Sequence, residues 1–146
     1  MIPIWQEERF IKNLDPMVHP GDCLRASVAS IFHKRLRDVP HFVLDEKNWY
    51  KLLEEYCRHE LKIEAFWTRR PYYTQRYGIG VYDVSSTQQV QAHAVVCYHG
   101  SMIHDPATQY GGVRKGRLGR LRMYINFLPL TELEDRYNDI RKRFWQ

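Results

Sequence analysis

Cysteine is scarce in this chain of 146 residues. The three that occur, Cys23, Cys57 and Cys97, are odd in number and none lies in CxxC spacing, which argues against a disulfide framework and against a structural zinc knuckle. Long hydrophobic runs are missing too. No stretch approaches the ~18 apolar residues that a membrane-spanning helix needs, and Met1-Ile2-Pro3-Ile4-Trp5-Gln6-Glu7-Glu8 lacks the basic-then-apolar build of a signal peptide. The expected compartment is the cytoplasm, with no membrane association, and reduced thiols fit it. There are no internal repeats, no low-complexity linker and no helix-turn-helix, zinc-finger or RNA-recognition signature, so a nucleic-acid module is not expected.

What is present describes a globule. Apolar residues make up 44% of the chain and aromatics 14%, and the length suits one domain over 1–146 with a sizeable core. The formal charge of +5 is uneven: residues 113–122 hold five basic residues and no acidic ones, and Arg69-Arg70 adds a smaller cluster. Glycine-spaced cations such as Arg114, Lys115 and Arg117 can hold an acidic or phosphorylated substrate or partner, although charge runs commonly just face water.

Taken along the chain, residues 2–6 read as short and extended, and 7–20 as an irregular connection punctuated by Asp15-Pro16 and His19-Pro20-Gly21. A helix is expected over about 23–33, with Asp22 as N-cap and Leu24, Val28, Ile31 and Phe32 on one apolar face. A turn over 36–42 and a second amphipathic helix over about 46–60 follow. Strands are expected at 61–67, 78–85, either side of His99-Gly100-Ser101, and 122–128, and an amphipathic helix over about 130–145 closes the chain. Helices first and an antiparallel sheet after them predict the α+β class.

The first helix places Cys23 in its opening turn, where unpaired backbone N–H groups and the positive end of the helix dipole favour thiolate over thiol. A cysteine there is also a common small core residue. The downstream hairpin shifts the balance, because it delivers His93 and Asp105 to neighbouring positions. A thiolate, an imidazole to move the proton and a carboxylate to fix the imidazole's tautomer are the parts of a cysteine hydrolase. With a three-residue turn at 99–101, facing residues sum to about 200, so Asp105 would lie opposite Val95 and share a face with His93. A two-residue turn would separate them, unless Asp105 lies just past the strand end. His104 is then expected on the opposite face, exposed or one step removed from the site. Cys97 shares the parity of His93 but lacks a helix dipole, so it is expected in the core, and Cys57 is expected to be inert. A zinc site of Cys23, His93 and His104 lacks a second paired-ligand motif; no metal and no cofactor is called for.

Gly-Asp-Cys-Leu-Arg-Ala at 21–26, Asp-Val-Pro-His-Phe at 38–42, His-Ala-Val-Val at 93–96 and His-Asp-Pro at 104–106 occur in that order. Together they resemble a group of small uncharacterised bacterial and phage proteins with a papain-like fold, and are similar to the peptidase family that includes the leader-peptide-cleaving domains of bacteriocin transporters. The resemblance covers roughly residues 1–128. It implies a papain-like fold and a catalytic triad of Cys23, His93 and Asp105. It also implies an oxyanion-hole glutamine upstream of the cysteine. Six positions before Cys23, where that residue is common, stands Met17, so Gln6 is the substitute, reached over an insertion at about 7–20.

The leading expectation is a thiol hydrolase of the peptidase, isopeptidase or amidase type that works through an acyl-enzyme, on a peptide, isopeptide or amide substrate of acidic character. Transglutaminase-type acyl transfer uses the same parts. A second class is a non-catalytic module that holds an acidic or phosphorylated partner, which for a phage-encoded chain in the host cytoplasm would suit a counter-defence role. A basic nucleic-acid binder would betray itself by binding that falls steeply with salt.

Overall fold

The computed structural model describes residues 1–4, 22–45, 47–71, 76–85, 90–107, 118–132 and 142. Gln6, the connection over 7–20, Arg114, Lys115, Arg117 and nearly all of the closing helix expected over 130–145 lie outside them.

Helix α1 runs Cys23–Phe32. Its small residues Ala26, Ser27, Ala29 and Ser30 are all buried, which lets the helix lie close against its neighbours. It ends at His33, whose left-handed backbone (φ 56°) turns the chain and returns an N–H to the Ala29 carbonyl. Asp22 occupies the N-cap position but does not cap with its side chain. Its carboxylate is instead fully buried, with an oxygen 4.0 Å from Arg25 Nη1. Arg25 in turn donates from Nε to the Val39 carbonyl at 2.7 Å, tying α1 to the turn around Leu36–Asp38.

Helix α2, Trp49–Tyr56, is shorter than the amphipathic pattern suggested and passes into a wider, π-type turn over Cys57–Leu61. Arg58 in that turn makes a forked pair with Glu64, at 2.7 and 2.8 Å. The strands are β1 (Ile63–Thr68), β2 (Tyr77–Ser85), β3 (Val90–Tyr98), β4 (Ser101–His104) and β5 (Leu118–Pro129). They form one antiparallel sheet in the order β1-β5-β2-β3-β4. The class is therefore α+β, with two α-helices and a five-stranded antiparallel sheet among the described residues.

The main core joins α1 and α2 to the sheet through Leu24, Val28, Phe42, Leu53, Ile79, Ala94, Ile125 and Phe127. Val95, Cys97 and Tyr124 form a second buried cluster with Tyr82 and Met102. Strand β5 begins at Leu118, four residues earlier than the sequence suggests. The last part of the basic run, through Arg120 and Arg122, is thus strand and not loop; pairing with β2 fixes it, and Arg122 is ion-paired to Asp83. Among the described residues no helix is long and apolar enough to cross a membrane.

Candidate active site

The hairpin that carries His93 and Asp105 departs from the expected three-residue turn. Tyr98 pairs with Ser101, so the turn has two residues, His99 (φ 56°) and Gly100 (φ 79°), both left-handed as in a type I′ turn. Parity alone would then put Asp105 on the wrong side. A register shift between Val96 and Cys97 inserts one extra residue, after which Val96 faces His104 and the sum returns to 200. Strand β4 ends there, and Asp105 lies just past it. The bulge and the strand end together restore the neighbourhood that an odd turn would have provided.

Pairing of β4 with β3 stops at Val96. Beyond it the edge of β3 is met by α1: the Ala94 N–H donates to Cys23 Sγ at 3.4 Å, and Ser27 Oγ donates to the Ala94 carbonyl at 3.5 Å. Cys23 and Ser27 are one helical turn apart, so a single face of α1 satisfies both backbone groups of Ala94. This docking sets the sulfur beside the strand residue that follows His93.

His93 Nε2 lies 2.7 Å from Asp105 Oδ1. Asp105 Oδ1 also accepts the Ala107 N–H at 2.9 Å, a local turn that fixes the carboxylate. Burial opposes a charge on His93, yet hydrogen bonds to Asp105 and to Cys23, and the negative charge on both, outweigh it and raise its pKa from 6.5 to about 10. With Nε2 taken by Asp105, Nδ1 is the ring nitrogen left for Cys23. The structure thus brings Cys23, His93 and Asp105 into one chain of contacts, with Asp105 buried and Cys23 partly open to solvent.

The other thiols differ. Burial pushes Cys57 up to about 12 and Cys97 up to about 11, and both sit in apolar clusters. His104, expected to be exposed or one step removed from the site, is buried, and its Nε2 donates to the Ile4 carbonyl at 2.7 Å. Ile4 also donates its N–H to Ser30 Oγ at 2.9 Å, so the N-terminal segment is fastened between α1 and the end of β4. No group of three or more His, Cys, Asp or Glu among the described residues is arranged to hold a metal ion.

A cavity of about 340 Å³ opens beside the thiol. Leu24, Val43, Trp49, Val81, Ala92, Ala94 and Met123 give it an apolar lining, with Cys23 and Arg122 the exceptions. Val43, Trp49 and Met123 carried no signal in the sequence, because each belongs to a different element and reads locally as core. No family model matches the sequence, and neither a curated protein nor a solved structure is significantly similar to it.

Proposed function

We propose that the chain is a thiol hydrolase of papain-like architecture that cleaves a peptide, isopeptide or amide bond through an acyl-enzyme. The observation that carries this reading is the buried His93–Asp105 pair at 2.7 Å, hydrogen-bonded onward to a cysteine in the first turn of a buried helix. A purely structural cysteine has no need of an imidazole held by a carboxylate.

In this reading the Cys23 sulfur attacks the carbonyl carbon, and the carbonyl π electrons move to the oxygen. The Cys23 backbone N–H, at the open end of the helix, stabilises that oxyanion. His93, protonated at neutral pH, gives its proton to the departing amine as the C–N bond breaks, leaving a thioester. Water then adds to the thioester with His93 as base, and the thiolate leaves as the acid forms. Asp105 keeps the imidazole oriented and offsets its charge throughout. Gln6, the implied second oxyanion donor, lies outside the described residues.

Thiol labelling tests the proposal. Limiting iodoacetamide at pH 6–7 followed by peptide mass mapping is expected to modify Cys23 selectively, and His93→Ala to slow that reaction about ten-fold or more. If Cys23 reacts no faster than a free thiol, and His93→Ala leaves its rate unchanged, the reading is wrong and a non-catalytic binding module takes its place.

A further inference from the structure

Arg122 stands at the cavity beside Cys23, and of the described residues of the basic run it is the one that lines it. Its Nε is held by Asp83 Oδ1, while among the described residues its Nη groups have no partner, and its side chain is about half exposed. Asp83 fixes the guanidinium without occupying its outer edge. Guanidinium edges of this kind bind carboxylates through two parallel N–H···O bonds. Apart from Cys23 the rest of the lining is apolar, chiefly Leu24, Val43, Trp49, Val81 and Met123, and a volume of about 340 Å³ accepts one bulky side chain together with its backbone.

We propose that this cavity binds the part of the substrate that lies against the thiol, and that it selects a bulky apolar group carrying a carboxylate within reach of Arg122. The inference rests on the thiol-hydrolase reading for the identity of its occupant, but the recognition it describes is separable from turnover. The apolar wall supplies affinity by removing hydrocarbon from water, and the guanidinium supplies orientation, since a carboxylate fixed there sets how the occupant lies against the thiol. Val43, from the turn at Phe42–Leu44, and Trp49, the first residue of α2, are the specificity-determining residues of the apolar wall. Arg122 is the specificity-determining residue for charge.

The test is protection of Cys23 from iodoacetamide by three small probes: N-acetylphenylalanine, its uncharged amide, and N-acetylglycine. Measured at pH 9, where an ordinary thiol also alkylates, protection reports occupancy whether or not Cys23 is an activated nucleophile. N-acetylphenylalanine is expected to protect at about ten-fold lower concentration than the amide, and N-acetylglycine more weakly than either. Arg122→Gln should bring the carboxylate probe to the level of the amide and leave protection by the amide as it was. Ala92→Phe, at an exposed cavity position, should abolish protection by both phenylalanine probes. Equal protection by carboxylate and amide, or indifference to Arg122→Gln, overturns the role of Arg122. Equal protection by the glycine and phenylalanine probes, or none by any, overturns the pocket. A slow Cys23 at neutral pH with intact, Arg122-dependent protection sinks the hydrolase reading alone.

Discussion

Asp105→Asn tests the centre of the site, because it removes a charge and almost nothing else. The amide oxygen can still accept the Ala107 N–H now held at 2.9 Å and can still meet His93 Nε2 now at 2.7 Å, so the fold should survive. What is lost is the difference between a charge-assisted and a neutral hydrogen bond, about 1–1.5 kcal/mol, together with the direct attraction between carboxylate and imidazolium. At about 1.4 kcal/mol per pKa unit, the first loss alone lowers His93 by about one unit, and the second takes the total toward two. Burial, which opposes the imidazolium, then has less to overcome it. The assay is a titration of the His93 Cε1 carbon by NMR between pH 5 and 10.5, paired with the rate of Cys23 alkylation at each pH. In the parent chain the imidazolium signal should persist to near pH 10. In the variant its midpoint should fall by about one to two units, and Cys23 alkylation should become more dependent on pH. Cys57 and Cys97, held near 12 and 11, stay protonated and silent over most of this range. Superimposable titrations of parent and variant would refute the claim that Asp105 holds the proton on His93.

Two further outcomes follow from the same structure. Folding raises His93 from 6.5 to about 10, so its contribution to stability is fully present below pH 6.5 and is lost as pH rises through about 10. The Cys57 and Cys97 thiols, raised from 9.0 to about 12 and about 11, add stability that is full below pH 9 and fades above it. Thermal melts should therefore weaken steadily from pH 7 to pH 10, and His93→Ala should flatten the part between pH 7 and 9; an unchanged slope in that variant would refute the linkage. In the core, Leu53 is fully buried at the meeting of α2 and the sheet, so Leu53→Ala should cost about 2–5 kcal/mol and lower the melting temperature by roughly 5–15 °C. A loss within 1 °C by calorimetry would mean that α2 is not packed as described.

The sequence by itself determined what depends on near neighbours. A run of small and apolar residues behind Asp22 at helical spacing is enough to start α1 at Cys23, and a short apolar run ending at His99-Gly100 is enough to make a strand of the residues around His93. The α+β class follows from that order of elements. Local patterns also fail in a local way. Asp22 has the chemistry of a cap, but its carboxylate is buried near Arg25, a preference set by packing that no window of sequence contains.

Tertiary structure decided the rest, for reasons of register and edge. Nothing in residues 93–105 announces that a two-residue turn will be followed by a bulge, yet the bulge is what returns Asp105 to His93. Ala94 pairs with Val81 of β2 on one side, but the early end of β4 leaves its other side open, and only then can Cys23 and Ser27 of α1, some seventy residues earlier in the chain, take its N–H and carbonyl. The cavity beside the thiol is less legible still, because its walls come from α1, α2, the turn at Phe42–Leu44 and three strands. Arg122 illustrates the difference. In the sequence it is one cation in a basic run, and it becomes a candidate ligand for a carboxylate because β5 pairs with β2 and Asp83 holds its Nε at the cavity.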